Sequence, residues 1–144
     1  MINLKHEHLA AIRAHGEADY PYECCGLLIG TFADDGTKIV EETYPISNAR
    51  EEADKRNRFL ITPQEFMRGE RYARTHKLDV IGIYHSHPDD KAEPSQFDLD
   101  YALPIYSYII VSVREGKATD LFSWLMEDDR SRFNSEKIIE GDVL

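Results

Sequence analysis

Cysteine is nearly absent from this chain. Of 144 residues only two are cysteines, Cys24 and Cys25, and they are neighbours. A trans dipeptide does not supply the Cα separation and Cβ directions that a disulfide needs. No disulfide framework holds this chain, which suits a reducing cytosol, so a cytoplasmic location is expected. Long apolar runs are missing as well. Nothing approaches the roughly 20 residues of a membrane span. The stretch from Met1 to Ala14 carries charges and histidines where a secretory signal would carry an apolar segment. Basic charge is scarce: 17 Lys and Arg stand against 27 Asp and Glu, a formal net charge of −10. An acidic chain without clustered cations is poorly suited to neutralising phosphates. Neither a nucleic acid nor a membrane is therefore expected as a partner.

A hydrophobic fraction of 42% can build a core, and 31% charged residues can keep its surface wet. The length fits one domain spanning residues 1–144. Apolar spacing predicts a helix from about Lys5 to His15, closed near Gly16. Cys25 to Ile29 reads as a buried strand. Ala33-Asp34-Asp35-Gly36 is a turn, and Thr37 to Pro45 a second strand, together a hairpin. Ser47 to Asn57 reads as a polar, mobile loop, and the neighbourhood of Phe59 and Ile61 as a short strand. Thr62 caps a helix running to about Lys77, with Pro63 at its first position and Glu65 closing a capping box. Val80 to Ile83 is a strand ending at His85 to His87. A loop from Pro88 to Pro94 leads to a short helix from Ser95 to about Leu103. Tyr106 to Val113, Thr119 to Met126 and Arg132 to Ile139 are the remaining strands. This mixture lacks regular alternation of strand and helix. It predicts an α+β fold, a mixed central sheet with flanking helices.

The chemistry concentrates in His85-Ser86-His87-Pro88, followed after six residues by Ser95-Gln96-Phe97-Asp98. Residues i and i+2 of a strand share a face, so His85 and His87 can present two imidazoles to one point. Asp98 lies eleven positions beyond His87, and the intervening loop is long enough to fold its carboxylate back. Two neutral imidazoles, one carboxylate and an open fourth position make the pattern of a catalytic zinc site. Blander readings compete. Ser-x-x-Asp is also a helix N-cap signature, and His-x-His arises by chance, as at His6 and His8. Cap and site are compatible, because a serine hydroxyl has one donor and two acceptor positions. Amide hydrolysis also needs a group that moves a proton to the leaving nitrogen. Glu23, at the mouth of the buried strand, is a candidate for it, and a surface glutamate is the alternative.

Glu23, the Cys25-Gly26-Leu27-Leu28-Ile29-Gly30 run, His85-Ser86-His87-Pro88, Ser95 and Asp98 together resemble the JAMM signature of the MPN-domain metalloproteases (the Mov34/MPN/PAD-1 group). The resemblance spans about Glu23 to Asp98 and is specific in combination, although each piece alone is not. It implies an MPN fold, with layering like that of the cytidine deaminases. It implies His85, His87 and Asp98 as ligands of one Zn2+. Glu23 would activate water and pass its proton to the leaving amine, and Ser95 would donate a hydrogen bond to the oxyanion. Asn48 and Phe59 resemble a flanking Asn and aromatic of bacterial members. The chain has no room for long ubiquitin-holding insertions. It is similar to the short stand-alone members that trim the C-terminus of ubiquitin-like sulfur-carrier proteins. That implies a tail ending in Gly-Gly, laid beside a sheet edge.

Other residues draw structural readings. Cys24 and Cys25 read as buried apolar groups; Trp124 and Tyr101, Tyr106 and Tyr108 as packing; Glu127-Asp128-Asp129 as a solvated turn; His15 and His76 as surface residues. Two functional alternatives stand beside the peptidase. One is a non-catalytic MPN scaffold or protein-binding module. The other is a zinc hydrolase of a small amide or nucleobase, although the Pro-Cys-x-x-Cys element of the deaminases is missing.

Overall fold

The computed structural model describes residues 1–50, 55 and 58–141. Eight strands form one mixed sheet in the order β7-β6-β5-β4-β2-β3-β1-β8. The strands are β1 (Ile2–Leu4), β2 (Cys25–Phe32), β3 (Lys38–Ile46), β4 (Asp79–Pro88), β5 (Ser107–Arg114), β6 (Lys117–Met126), β7 (Phe133–Glu136) and β8 (Ile138–Glu140). Three helices stand beside it among the described residues, α1 (His6–Asp19), α2 (Pro63–Thr75) and α3 (Gln96–Tyr101). The result is the expected α+β class.

Strand alternation divides the core. Leu28, Tyr84, Ile109, Val111 and Val113 share a buried cluster with Leu9 and Ile12 of α1. Their sequence neighbours Leu27 and Ile83 pack with Phe66 of α2. Full burial of a side chain the size of Leu9 or Ile12 contributes about 1.5–3 kcal/mol. This face therefore supplies much of what holds α1 down. On the other face Gly69 lets α2 approach β2, since a Cβ there would lie 2.3 Å from Leu27 Cδ1.

Several expectations need correction. α1 continues past Gly16 to Asp19, because that glycine is buried and a Cβ there would meet Val113 Cγ2 at 3.0 Å. Phe59 and Ile61 lie in irregular chain rather than a strand. Thr62 accepts from Glu65 N at 3.1 Å as expected, but the Glu65 carboxylate turns to Arg68 at 2.7 Å, so no capping box closes. The expected terminal strand is two: β7 pairs with β6, and β8 crosses to the far edge to pair with β1. β1 itself was not expected. Of the expected mobile loop, residues 51–54, 56 and 57 lie outside the described residues. No helix among the described residues is long and apolar enough to cross a membrane.

Candidate metal centre

The centre grows from the antiparallel pairing of β2 with β4. Cys25 stands opposite His85, and Ser86 N donates to Cys24 O at 3.2 Å. The Ser86 hydroxyl accepts from Cys24 N at 2.8 Å. Continuing this register one step brings Glu23 abreast of His87. One ligand atom from each of Glu23, His85 and His87 lies within 4.8 Å of the others, and all three residues are buried. The two Nε2 atoms are 3.1 Å apart.

Asp98 arrives from α3. Its two carboxylate oxygens lie 3.3 Å from Nε2 of His85 and 3.3 Å from Nε2 of His87. A reciprocal cap aims it there: Ser95 N donates to Asp98 Oδ2 at 2.8 Å, and Ser95 Oγ accepts from Asp98 N at 3.2 Å. That cap uses the Ser95 hydroxyl as an acceptor and leaves its O–H to donate elsewhere.

The loop joining β4 to α3 is pinned at three consecutive carbonyls. Ser112 Oγ donates to Asp90 O at 2.5 Å, His87 Nδ1 to Lys91 O at 2.9 Å, and Trp124 Nε1 to Ala92 O at 3.0 Å. A carbonyl can only accept, so His87 Nδ1 carries a proton. In the neutral ring the Nε2 lone pair then faces the centre. His85 Nδ1 is buried and has no hydrogen-bond partner among the described residues. Its ring is held instead by stacking on Phe59, centroids 4.6 Å apart. Asn48 fixes that segment with all its polar capacity: it donates to Glu23 O and Arg58 O and accepts from Arg50 N and Leu60 N.

Electrostatics separate the two carboxylates. Burial pushes Glu23 up to about 8, against a smaller opposing pull from His87. Burial would also raise Asp98, but the His85 charge and hydrogen bonds from both imidazoles and Ser95 N–H outweigh it and hold Asp98 well below the usual carboxylate range. Burial lowers His85. In His87 burial acts the same way, but the hydrogen bond to Asp98 and the neighbouring acids win and raise it. Imidazole nitrogens this close, facing an ionised carboxylate, need a proton or a cation between them. The donor set, two nitrogens and carboxylate oxygen, suits zinc.

The family model described as prokaryotic homologs of the JAB domain matches residues 5–127. The chain belongs to this family. Among relatives of this JAB chain, the desampylase of Haloferax volcanii is 32% identical over 112 residues, 77% of this chain and 76% of that protein. The CysO-cysteine peptidase of Mycobacterium tuberculosis is 29% identical over 119 residues, 82% and 77% of the two chains. Tail tip assembly protein K of Escherichia phage N15 is 30% identical over 95 residues, 66% of this chain, and the match spans 34% of the phage protein. The solution structure of DSY2949 from Desulfitobacterium hafniense matches over 100% of this chain and 95% of its own, with a TM-score of 0.85 and 31% identity. AF2198 from Archaeoglobus fulgidus, a JAB1/MPN domain protein, covers 99% and 100% with a TM-score of 0.61; at 18% identity it speaks for the fold alone. A relative named as a peptidase supports a hydrolase, and the buried Glu–His–His cluster supports a metal site.

All five expected site residues, Glu23, His85, His87, Ser95 and Asp98, fall in this one region. Cys24 and Cys25 are fully buried, as expected. His15 is not a surface residue. Its side chain is 18% exposed, its Nδ1 lies 2.7 Å from the Tyr84 hydroxyl and its Nε2 3.3 Å from Asp19. The partner is 69 positions away, beyond any local pattern. Sequence reasoning also missed the role of Trp124 and the carbonyl trio at 90–92. The indole packs against the core as expected, and nothing local marks which carbonyl its N–H reaches.

Proposed function

We propose that this chain is a zinc-dependent peptidase or isopeptidase of one JAMM-type domain, acting at the C-terminus of a ubiquitin-like or sulfur-carrier protein with a Gly-Gly-type tail. His85, His87 and Asp98 hold one zinc ion, Glu23 is the general base and Ser95 donates to the oxyanion. A zinc ion so held supplies a Lewis acid for the scissile carbonyl and the attacking water. Glu23 takes the proton from that water and returns it to the departing nitrogen; a bound cation favours its ionised form for the first step, and its burial, which raises its proton affinity, favours holding the proton for the second. Asp98 stays ionised and holds its charge at the centre. Ser95 aims Asp98 through the reciprocal cap and turns its free O–H to the oxygen that gains charge.

The observation that carries this reading is a convergence of four groups: ligand atoms of Glu23, His85 and His87 lie within 4.8 Å of one another, and the Asp98 oxygens lie 3.3 Å from both imidazoles. The upward displacement of Glu23 and the downward one of Asp98 accord with a proton carrier beside a fixed charge. The names of two relatives, a desampylase and a CysO-cysteine peptidase, support the class of substrate. The edge strands β7 and β8 stand three and four places from β4 in the sheet. Among the described residues, strand addition at these two edges does not bring a tail to His85 and His87.

Two variants test the division of roles. Glu23→Gln should keep its zinc and lose at least 100-fold in kcat, whereas Asp98→Ala should lose zinc itself, read by metal analysis after dialysis. The reverse pair of results would make Glu23 the ligand. A parent chain that takes up no zinc would favour the scaffold reading.

A further inference from the structure

Arg50 and Arg58 both stack on one aromatic ring beside the metal centre, and among the described residues neither is paired. Their guanidinium carbons lie 5.0 and 5.1 Å from the centroid of Phe97, the residue before Asp98. Among the described residues neither side chain makes an ion pair or a hydrogen bond, and Arg50 Nε is buried without a partner. In a chain of net charge −10, two cations that converge on one ring and meet no acidic partner among the described residues stand out. Stacking engages only the face of a guanidinium and leaves its fork of N–H donors free. That fork matches a carboxylate. The convergence is built, not incidental: Asn48 accepts from Arg50 N and donates to Arg58 O, tying both arginines to the backbone of Glu23.

Arg50 also lines a cavity of about 260 Å³ that reaches His85 and Asp98 and is otherwise walled largely by apolar side chains, among them Phe59, Ile61 and Phe66. Its size fits one side chain rather than an extended tail. The geometry points to a subsite for the residue that leaves: Arg50 and Arg58 hold the free α-carboxylate of a single C-terminal amino acid, whose apolar side chain enters the cavity. In an uncleaved carrier extended by one residue, the α-carboxylate next to the scissile bond belongs to that residue. A lysine inside a folded protein offers an amide there instead. This inference rests on the proposed peptidase reading and narrows it to release of one C-terminal amino acid in preference to an isopeptide-linked lysine. Water oxygen bonds to the carbonyl carbon, the C–N bond breaks and the leaving nitrogen takes the proton, giving a carrier carboxylate and a free amino acid.

Binding separates this subsite from catalysis. N-acetyl-leucine and N-acetyl-leucine amide are titrated calorimetrically into the zinc-loaded parent, Arg58→Gln, and Arg50→Gln/Arg58→Gln. The acid should bind the parent at least about 10-fold more tightly than the amide, and the double variant should lose that preference while keeping its zinc and its fold by circular dichroism. Arg58 is exposed, so Arg58→Gln alone keeps the test sound should the double variant unfold. Equal binding of acid and amide, or a preference that survives in a folded arginine variant and so lies on the metal, overturns the subsite. Cleavage of carrier-tail peptides ending in Gly-Gly-Leu as the acid, as the amide, and as an isopeptide on lysine gives the second arm. A faster acid supports the subsite, and equal rates for acid and amide overturn it. Acid binding that depends on the arginines with no peptide cleaved would sink the peptidase reading and leave the subsite standing.

Discussion

Glu23 is 3% exposed and carries its carboxyl into a space shared with two imidazoles. Burial raises it from an ordinary value near 4.5 to about 8, so the folded metal-free chain binds this proton more tightly than the unfolded chain does. Stability from that proton is complete below about pH 4.5 and is lost as pH climbs through 8. The loss has an upper limit of roughly 4–5 kcal/mol. Metal-free parent protein should therefore weaken across this window in urea titrations, and Glu23→Gln should weaken much less and exceed the parent at pH 8. Parallel curves would mean that Glu23 is not desolvated. His87, raised partly by Glu23, moves in the same sense. A bound cation should flatten the dependence by favouring the ionised carboxylate.

The elements place these residues to a tolerance their own propensities do not set. β2 and β3 shift register between Ile29 and Gly30, and a Cβ on Gly30 would lie 1.8 Å from the backbone oxygen of Ile39. Backbone cannot swing aside as a side chain can, so Gly30→Ala should cost more than about 3 kcal/mol in denaturant titrations. A second expectation concerns the loop between β4 and α3. Trp124 Nε1 holds Ala92 O, one residue from the carbonyl that fixes the His87 tautomer. Trp124→Phe keeps the ring packing and removes the donor. Zinc affinity, measured against a competing chelator, should fall about 10-fold or more while the melting temperature changes little. An unchanged affinity would show that Ser112 and His87 hold the loop unaided.

At the scale of the whole molecule, the ends of the chain close the sheet on the side away from the metal centre. β1 lies between β3 and β8, with Ile2 and Leu4 fully buried, and Gly141 N donates to Leu4 O at 3.0 Å. Deleting residues 137–144 should lower stability by about 2–4 kcal/mol through lost backbone bonds and the uncovered apolar edge. Zinc uptake should persist, because β2, β4 and α3 lie elsewhere. Loss of zinc along with stability would mean that the far edge governs the centre.

What the chain determines by itself is local. Thr62 and Pro63 start a helix because a hydroxyl and a fixed φ act over three residues. The two-residue period of a strand sends His85 and His87 to one face wherever that strand lies. Ser95 and Asp98 form a reciprocal cap through the same short reach. Tertiary structure decided what depends on distant partners. β1 and β8 are three residues each; β8 exists by pairing with β1 across more than 130 positions, and β1 by pairing with β3 and β8 together. Gly16 stays helical because Val113 fills the space where its side chain would be, and His15 is half-buried because its ring meets Tyr84. Whether Glu23 is a surface acid or a desolvated one is settled by what folds over it. Backbone propensity and capping act through bonds and neighbouring residues, whereas burial and charge act through space, and only the closed fold sets those distances.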